Sequence, residues 1–480
     1  MIELGGSAGL ADVVAVADGG RVRVPDAAVE AVARAHELTR RLSAEVPTYG
    51  RTTGVGANKS AAVVVDDDNA HGLRLLRSHA VDAGTELPER AVRAMLAVRL
   101  NQLCAAGSGV DPAVLGALEG MLNGNALPSV RAHASIGTGD LGALAGTALT
   151  LMGERPATGP LEPMGPWSSD SALPFISSNA LTIGRACLVV DTLGLLDRAA
   201  VAVYALSFRG LDGNQSVFSP AAVRAAASPG VGVVAERARR LLGVPSGPGE
   251  RPGERPARIQ DAFGLRAFPI SQGAFTHALG ALAEQAGGVL GVAQENPLFD
   301  VAGRSVVHHG AFHQVALGLA LDACNLALAQ TGPLVMSRIG MLNEPALTGF
   351  RPFLATGPEG ASGLMMVEYV AGSALGELRA AAQPASLGTV ALSRGTEEDA
   401  SFASQALVQT ERAVAAYRTL LACELVGAVR LLRQRGVVLP AGSLGDAFEL
   451  AAALPAEDAD RDLREDLGIA EKLLDALAWV

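Results

Sequence analysis

Five short segments carry polar side chains at points where the helical, alanine-rich sequence around them is interrupted. They supply a phenol, an imidazole, a carboxamide, a guanidinium and carboxylates, which are groups that transfer protons and bind anions in enzyme sites. Each also has a structural explanation, such as a buried phenol, a helix histidine, a tie between helices or an acidic helix cap. The segments are Tyr49-Gly50, Ser78-His79, Asn179, residues 260–266 and Glu397-Glu398-Asp399.

A sixth segment, "HASIGTGDL" at 133–141, has the composition of a tight glycine-rich turn that leads into a helix. Its glycines permit backbone conformations that other residues avoid. The segment is therefore either a connector or a strained part of a functional site.

The order and spacing of these segments resemble those of the histidine and phenylalanine ammonia-lyase family, also called the aromatic amino acid lyases. Tyr49 begins "YGRTTGVG", where the family has Tyr-Gly-Val-Asn-Thr-Gly-Phe-Gly. The resemblance covers about residues 5–475. It continues through "LLRSHA", "RLNQLCAAGSGV", "SIGTGDLGALA", "IQDAFGLRAFPISQG", "ENPLF", "HHGAFHQVALGLALDACNLAL", "EPALTGFRPFLATGPEGASGLMMVEYVAGSALGELR", "PASLGTV" and "EEDASFAS".

The resemblance implies a mainly α fold, ammonia-lyase-like, with a long central antiparallel helix bundle. It also implies a homotetramer whose active sites are shared between subunits and take an amino-acid-like small molecule. We expect residues 1–200 to form an N-terminal domain that carries the Tyr49 loop and the loop at 135–141. Residues 201–480 would form the long-helix bundle and the C-terminal helices, with an exposed mobile loop at 244–258, "VPSGPGERPGERPAR".

The resemblance also assigns roles to single residues. Tyr49 matches the family's proton-abstracting base, and its phenol would need a lowered pKa to act as one. Arg266 matches the group that pairs with the substrate carboxylate, where a planar guanidinium gives bidentate binding. The remaining positions that the resemblance assigns to the site, as catalytic or pocket residues that hold substrate or order the loops, are His79, Asn179, Gln260, Phe263, Phe312 and Glu398.

The loop at 135–141 departs from the family pattern Gly-Ser-Val-Gly-Ala-Ser-Gly-Asp-Leu. In the family, Ala-Ser-Gly cyclises and dehydrates into methylidene-imidazolone (MIO), an electrophile. Aligned on Gly-Asp-Leu, this chain lacks one residue, Thr138 replaces the serine, and Gly137 takes the alanine position before Gly139. A ring made from Thr138 would carry a methyl group on the carbon that must be attacked.

Other departures lie near the same site. Phe263 stands where the family has a second active-site tyrosine, and Ala311 replaces the asparagine of Gly-Asn-Phe-His-Gly. A Lys or Glu upstream of Asn179 is replaced in the stretch that holds Leu173 and Ser177-Ser178. The residues that handle substrate are thus retained, and those that handle the electrophile are changed.

Three functions remain open from the sequence. The first is a lyase-like enzyme without an ordinary MIO group, which runs an elimination, or the reverse addition or cyclisation, in bacterial specialised metabolism. The second is a standard ammonia-lyase or aminomutase with a ring from Gly137-Thr138-Gly139. The third is a catalytically silent scaffold. No cofactor is expected apart from this self-derived group.

The elements that position these residues are mostly helices. Apolar residues at i, i+3 and i+4 predict a helix over 26–45 with Asp26 as its N-cap. Further helices are expected over 70–83, 88–105, 111–122, 139–154, 178–208, 271–292, 310–332 and 402–436. Strand patterns are confined to "RVRVP" (21–25) and "AAVVV" (61–65).

Composition excludes several classes of protein. The net charge of −11 argues against a nucleic-acid-binding protein. We expect no membrane span and no signal peptide, and the four cysteines have no CxxC spacing, so a cytoplasmic protein with buried thiols is expected. His309 and His313 are spaced i, i+4 after His308, but without an acidic or thiol partner nearby in sequence no metal is expected.

Overall fold

The computed structural model describes residues 1–63, 70–165, 167–244, 258–439 and 441–480. The loop expected at 244–258 lies, apart from its two end residues, outside the described residues. Within the described ranges the chain forms eighteen α-helices: α1 Leu10–Ala17, α2 Asp26–Glu45, α3 Ala70–His79, α4 Glu89–Leu103, α5 Ala113–Asn123, α6 Leu141–Leu151, α7 Ser169–Ile176, α8 Ala180–Gly210, α9 Pro220–Ala226, α10 Pro229–Leu242, α11 Phe263–Arg266, α12 Phe268–Gly288, α13 Val315–Leu342, α14 Pro345–Thr348, α15 Met365–Ala381, α16 Ala403–Gln434, α17 Ser443–Ala451 and α18 Arg464–Leu477.

The strands in the described residues are short and form three two-stranded pairs. The first pair is parallel, and the other two are antiparallel. The six strands are β1 Ile2–Glu3, β2 Val22–Arg23, β3 Ala83–Glu86, β4 Arg131–His133, β5 Leu298–Asp300 and β6 Ser305–Val307.

The four longest helices match the expected spans to within a few residues at most ends. They are α8, α12, α13 and α16, with 31, 21, 28 and 32 residues. The exception is α13, which was expected at 310–332 and instead continues through Pro333 to Leu342. Proline usually ends or kinks a helix, so burial of Val335, Arg338 and Ile339 outweighs that local preference.

Several local predictions were wrong. The helix expected over 70–83 ends at His79, Ala83 begins β3, and strands β1 and β3 to β6 lie outside the two segments with predicted strand patterns. Asp26 is not the N-cap of α2, because Pro25 has the extended backbone of the capping position and Asp26 is the first helical residue. The strand expected at 61–65 is reduced, in the described residues, to a bridge between Thr53 and Ala62. Residues 64 and 65 lie outside the described ranges.

The chain divides into two compact units. Unit 1 contains Met1–Asp191, Leu282–Leu321 and Ala385–Val408, and unit 2 contains Thr192–Ala281, Asp322–Pro384 and Gln409–Val480. Each unit is therefore assembled from segments that are far apart in sequence. The continuous domains 1–200 and 201–480 stay a prediction.

The core of unit 1 is built around α4. From Ala91 to Leu103 every residue of this helix is buried, including Arg99 and Asn101. A Cβ at Gly184 of α8 would lie 2.7 Å from the backbone carbon of Ala94, so these two helices approach backbone to backbone. The small residues that dominate the composition permit this close packing.

One helix in the described residues, α13, is long and apolar enough to cross a membrane by length and composition. Just over half of its most apolar window, 56%, is buried inside the protein. Asp322 and Arg338 of this helix are also buried. Core helices of globular proteins have the same properties.

Candidate functional site

The glycine-rich loop connects β4 to α6 and is folded back on itself. Gly137 and Gly139 have φ values of +86° and +132°, which side-chain-bearing residues rarely adopt. The Ser135 hydroxyl accepts a hydrogen bond from the Gly137 N–H at 3.1 Å and donates to the Gly139 carbonyl at 3.3 Å. These contacts keep the loop compact around the half-buried Thr138.

The Gly137 carbonyl is held by two donors from distant parts of unit 1. The Ser401 hydroxyl donates to it at 2.9 Å, and the Gln314 backbone N–H donates at 3.3 Å. A Cβ built on Gly137 would lie 2.1 Å from the Ser401 Oγ and 2.9 Å from the Ala403 nitrogen. Alanine therefore does not fit at this position unless the backbone around Ser401 moves.

The start of α16 fixes the first half of the loop. The Phe402 N–H donates to the Ile136 carbonyl at 2.9 Å. The Ser135 carbonyl accepts hydrogen bonds from the Ser404 hydroxyl at 3.1 Å and the Gln405 side chain at 2.9 Å. Together with Ser401, these residues form a clamp on the loop, which we call the 401–405 clamp.

Asp140 fixes the second half of the loop. Its N–H donates to the Ser178 carbonyl at 2.7 Å, and its buried carboxylate accepts from the N–H and hydroxyl of Thr182 at 2.8 and 3.0 Å. Burial raises the pKa of this carboxyl, while the hydrogen bonds from Thr182 and Ser135 oppose the rise. The Asp140 carboxylate thus caps the first turn of α8, directly after Asn179.

Asn179 is fully buried beside this loop. Its side-chain amide donates to the Phe312 carbonyl at 2.7 Å. Its Oδ1 is buried and has no hydrogen-bond partner within the described parts of the chain. An unpaired buried acceptor of this kind is suited to a ligand that brings an N–H or O–H donor.

A buried ion pair lies against the segment that precedes Asn179, where Arg99 donates to the Phe175 carbonyl at 2.9 Å. Arg99 Nη1 lies 2.8 Å from Glu295 Oε1, and both side chains are 1% exposed. The adjacent Asn296 N–H donates to the Ser177 hydroxyl at 3.0 Å, and the Ser178 hydroxyl donates to Gln102 at 2.6 Å. The serines upstream of Asn179 therefore have a positioning role.

Tyr49 lies in the loop that follows α2. Its hydroxyl oxygen accepts a hydrogen bond from the Gly56 N–H at 2.7 Å, and its own N–H lies 3.4 Å from His308 Nε2. Burial raises the pKa of this phenol, the Gly56 hydrogen bond lowers it, and the charge of Glu397 raises it, so that the pKa lies above its ordinary value. The surroundings of Tyr49 within this chain therefore do not supply the lowered pKa that a phenol needs in order to act as a base near neutral pH.

Neighbouring residues fix the backbone conformation of the loop that carries Tyr49. Gly50 has φ +71°, and a Cβ there would lie 2.1 Å from Leu173 Cδ2, so only glycine fits. The Ser393 hydroxyl accepts a hydrogen bond from the Ala57 N–H at 2.9 Å. This contact places the acidic segment that follows Ser393 beside the Tyr49 loop.

The other predicted residues of unit 1 lie around these loops. His79 ends α3 with its Nδ1 2.9 Å from the Leu75 carbonyl. The start of α6 packs against this chain segment, since a Cβ on Gly142 would meet the Val81 carbonyl oxygen at 2.2 Å. Glu398 is exposed.

The histidines near Phe312 have partners that the sequence did not indicate. His313 Nε2 lies 3.4 Å from Asp399 Oδ2, and His309 contacts the Glu295 carbonyl at 2.8 Å. Within the described residues, no group of three or more His, Cys, Asp or Glu side chains is arranged to hold a metal ion.

Gln260, Phe263 and Arg266 belong to unit 2. The Arg266 guanidinium lies 4.5 Å from the centroid of the Phe263 ring, which is 63% exposed. Gln260 and Arg266 line a cavity of about 300 Å³ together with Asp261. Arg266 Nε is buried without a hydrogen-bond acceptor in the described residues, while the Asp261 carboxylate is engaged by Arg258 at 2.7 Å.

Sequence reasoning identified the loop but missed the side chains that hold it. Ser401 is 264 residues away from Gly137, and Gln405 is 270 residues away from Ser135. Serine and glutamine at the start of a helix give no local signal for such contacts. For Ser401 the only indication was that it falls within the segment "EEDASFAS" at 397–404, and Gln405 lies one residue beyond that segment.

Comparison with known proteins identifies the family that the sequence motifs resemble, along nearly the whole chain. The family model described as aromatic amino acid lyase matches residues 8–449. Histidine ammonia-lyase of Streptomyces griseus is 31% identical over 96% of this chain and 93% of its own length. That of Geobacillus thermodenitrificans is 32% identical over 92% and 90%.

Solved structures share the fold. Ergothionase from Treponema denticola superposes with a TM-score of 0.90 at 24% identity, covering 100% of both chains. Tyrosine aminomutase from Streptomyces globisporus gives 0.90 at 24%, covering 99% of this chain and 97% of its own. The mainly α, ammonia-lyase-like fold is confirmed, and the chain belongs to the aromatic amino acid lyase family.

Proposed function

We propose that this chain is an ammonia-lyase-like enzyme that acts without an ordinary MIO group. It catalyses C–N or related bond elimination, or the reverse conjugate addition or cyclisation, on an amino-acid-like carboxylate. The observation that carries the proposal is the lack of space for a side chain at position 137, where a Cβ would lie 2.1 Å from the Ser401 Oγ.

The residues of the loop do not fit the ordinary group. The family triplet begins with alanine, and the 401–405 clamp leaves no room for an alanine side chain at Gly137. Thr138 adds a methyl group where the family has serine. No step of the proposed reaction therefore passes through an MIO ring.

The proposed chemistry uses the retained side chains. In the elimination direction, the deprotonated Tyr49 oxygen takes a proton from carbon. The electron pair of that C–H bond forms the C=C bond, and the electron pair of the C–N bond leaves with nitrogen. The departing nitrogen takes a proton from His79 or water. No enzyme electrophile takes part in this reaction. The substrate itself therefore carries an activating group that makes its C–H bond acidic enough for Tyr49 to deprotonate.

Binding is assigned to two groups. The unpaired Asn179 Oδ1 accepts a hydrogen bond from the substrate nitrogen, and Arg266 binds the carboxylate in a bidentate pair. Arg266 belongs to unit 2. The family resemblance implies a homotetramer with shared sites, and we propose that a different subunit from the one with Tyr49 supplies Arg266. We assign this assembly to the cytoplasm, and the enzyme to bacterial specialised metabolism.

One observation favours a second function, a standard MIO-dependent ammonia-lyase or aminomutase. Ring closure requires attack on the Gly137 carbonyl, and the two donors at that oxygen, Ser401 and Gln314, would polarise it. The relatives named histidine ammonia-lyase agree with this alternative.

Intact-mass measurement of the purified chain separates the two functions. We expect the mass of the unmodified sequence. A mass lower by two water molecules, with the loss mapped to residues 137–139, would support the ring and contradict the proposal. A Thr138→Ala variant, which has no side-chain hydroxyl to lose, is the matched control.

Activity is tested on a panel of substrates. L-histidine, L-phenylalanine, L-tyrosine and 4-nitro-L-phenylalanine, whose nitro group acidifies the β C–H bond, are assayed for ammonia release. Trans-urocanate and trans-cinnamate are assayed with ammonia for the reverse addition. Turnover by an unmodified chain, lost in Tyr49→Phe, would support the proposal. An unmodified chain that neither binds nor converts any member of the panel would instead favour a catalytically silent scaffold.

A further inference from the structure

A buried ion pair lies against the short helix α11 in unit 2. Arg338 and Glu424 form a bidentate pair, with Nε–Oε1 and Nη2–Oε2 distances of 2.6 and 2.7 Å. Both side chains are completely inaccessible to solvent. Burying two charges in this way costs desolvation energy, so such a pair is weak evidence of a stabilising role alone.

The network around the pair binds two backbone carbonyls of α11. Arg338 Nη1 donates to the Gly264 carbonyl at 2.9 Å, and the Tyr204 hydroxyl donates to the Leu265 carbonyl at 2.9 Å. A helix of four residues leaves its carbonyls without partners inside the helix and cannot stabilise itself. External donors are therefore needed to hold α11 in one conformation.

The donors are themselves held rigidly. The ring of Tyr204 stacks on Phe268 with a centroid separation of 3.9 Å and an interplanar angle of 10°. The Arg338 guanidinium lies 5.3 and 5.0 Å from these two ring centroids. The Ser207 hydroxyl donates to Glu424 Oε1 at 2.7 Å. Burial raises the pKa of Tyr204 well above its ordinary value, so its hydroxyl remains a donor.

We infer that Tyr204, Arg338 and Glu424 are positioning residues that fix α11 and thereby set the affinity of Arg266 for a carboxylate. Arg266 is the last residue of α11, directly after the two carbonyls that the network holds. Its Nε has no acceptor of its own in the described residues, so nothing else at that atom fixes it before a ligand binds. This inference rests on the proposed role of Arg266 as the carboxylate-binding group.

The test uses Tyr204→Phe, which deletes the hydrogen bond to Leu265 and keeps the stacked ring. Tyr417→Phe is the matched control, because Tyr417 is also fully buried in unit 2 and its hydroxyl contacts Gln272 at 3.3 Å rather than α11. Arg266→Ala removes the proposed anion site and gives the reference affinity for a carboxylate in its absence. Loss of one hydrogen bond is expected to speed local opening by roughly fivefold to tenfold.

Two measurements are made on the full-length protein. Amide hydrogen exchange of residues 263–268 reports the opening of α11. Calorimetric titration with trans-cinnamate and trans-urocanate, each compared with its neutral amide, reports carboxylate recognition. We expect Tyr204→Phe to exchange its backbone amide hydrogens faster over 263–268 and to bind the two carboxylate ligands severalfold more weakly. Its affinity for the neutral amide ligands should not change, and Tyr417→Phe should behave like wild type in both measurements.

The outcomes separate the inference from the proposed function. Unchanged exchange in Tyr204→Phe, or an equal increase in Tyr417→Phe, would overturn the positioning role. Faster exchange with unchanged carboxylate affinity would also overturn it, since the network would then be merely structural. If wild type and Arg266→Ala bind the carboxylates equally, the proposed anion site itself fails, and the positioning role fails with it.

Discussion

The fit of Gly137 against the 401–405 clamp gives a quantitative prediction. In Gly137→Ala, the new Cβ would lie 2.1 Å from the Ser401 Oγ and 2.9 Å from the Ala403 nitrogen. Holding alanine at φ +86° costs about 1–2 kcal/mol. Forcing an extra methyl group into a packed site costs a further ~1–3 kcal/mol. We expect unit 1 to lose about 2–5 kcal/mol of stability against unfolding.

A double-mutant cycle isolates the contact with Ser401. Ser401→Ala alone removes one hydrogen bond to the Gly137 carbonyl and is expected to cost about 1 kcal/mol. In Gly137→Ala/Ser401→Ala the shortest contact is gone, so the second substitution should recover stability. The expected coupling is about 1–2 kcal/mol in the stabilising direction, within the usual range for side chains in contact.

The chain offers a convenient probe for this measurement. Its two tryptophans are Trp167, buried in unit 1, and Trp479, which is 76% exposed. In a Trp479→Phe background, urea unfolding followed by fluorescence reports on unit 1. Gly116→Ala is the control, because a Cβ at Gly116 in α5 meets nothing within 4 Å. That control should gain about 0.4–1 kcal/mol, as expected for alanine in a helix.

Two results would refute the reasoning. If Gly137→Ala were as stable as the parent, the loop would have room for the side chain that the family triplet requires. If the double variant showed no coupling, Ser401 would not be the residue that excludes it. Either result removes the structural support for the proposal that the ordinary MIO group is absent.

Three further predictions follow. Because the pKa of Tyr49 is raised, log(kcat/KM) for any substrate found should rise by about one per pH unit toward alkaline pH, and a flat profile would exclude the phenolate as base. Glu295→Gln should destabilise unit 1 by about 3–5 kcal/mol in the Trp167 assay, because Arg99 would remain buried without its counter-charge; a change below 1 kcal/mol would contradict this. Burial raises the pKa of all four thiols to about 12, so a thiol reagent at pH 8 should label none in the native protein and all four in denaturant; rapid native labelling would disprove their burial.

The local sequence determined the helices and the unusual loop. Apolar periodicity located α2, α4 and α16 to within two residues of their observed ends. The glycine-rich segment at 133–141 indicated a tight turn that leads into a helix, and in the structure α6 begins at Leu141 directly after Gly137 and Gly139 adopt positive φ values. Both features depend on neighbours within a few residues, so they can be read from the chain directly.

Only the tertiary structure decided which side chains surround that loop and which charged side chains pair in the buried core of each unit. The Gly137–Ser401, Arg99–Glu295 and Arg338–Glu424 contacts join residues 264, 196 and 86 positions apart. Serine, arginine and glutamate at these positions satisfy several local patterns equally well. Their partners are fixed by how the segments of each unit pack together, because a buried charge or hydroxyl is stable only beside a specific complementary group.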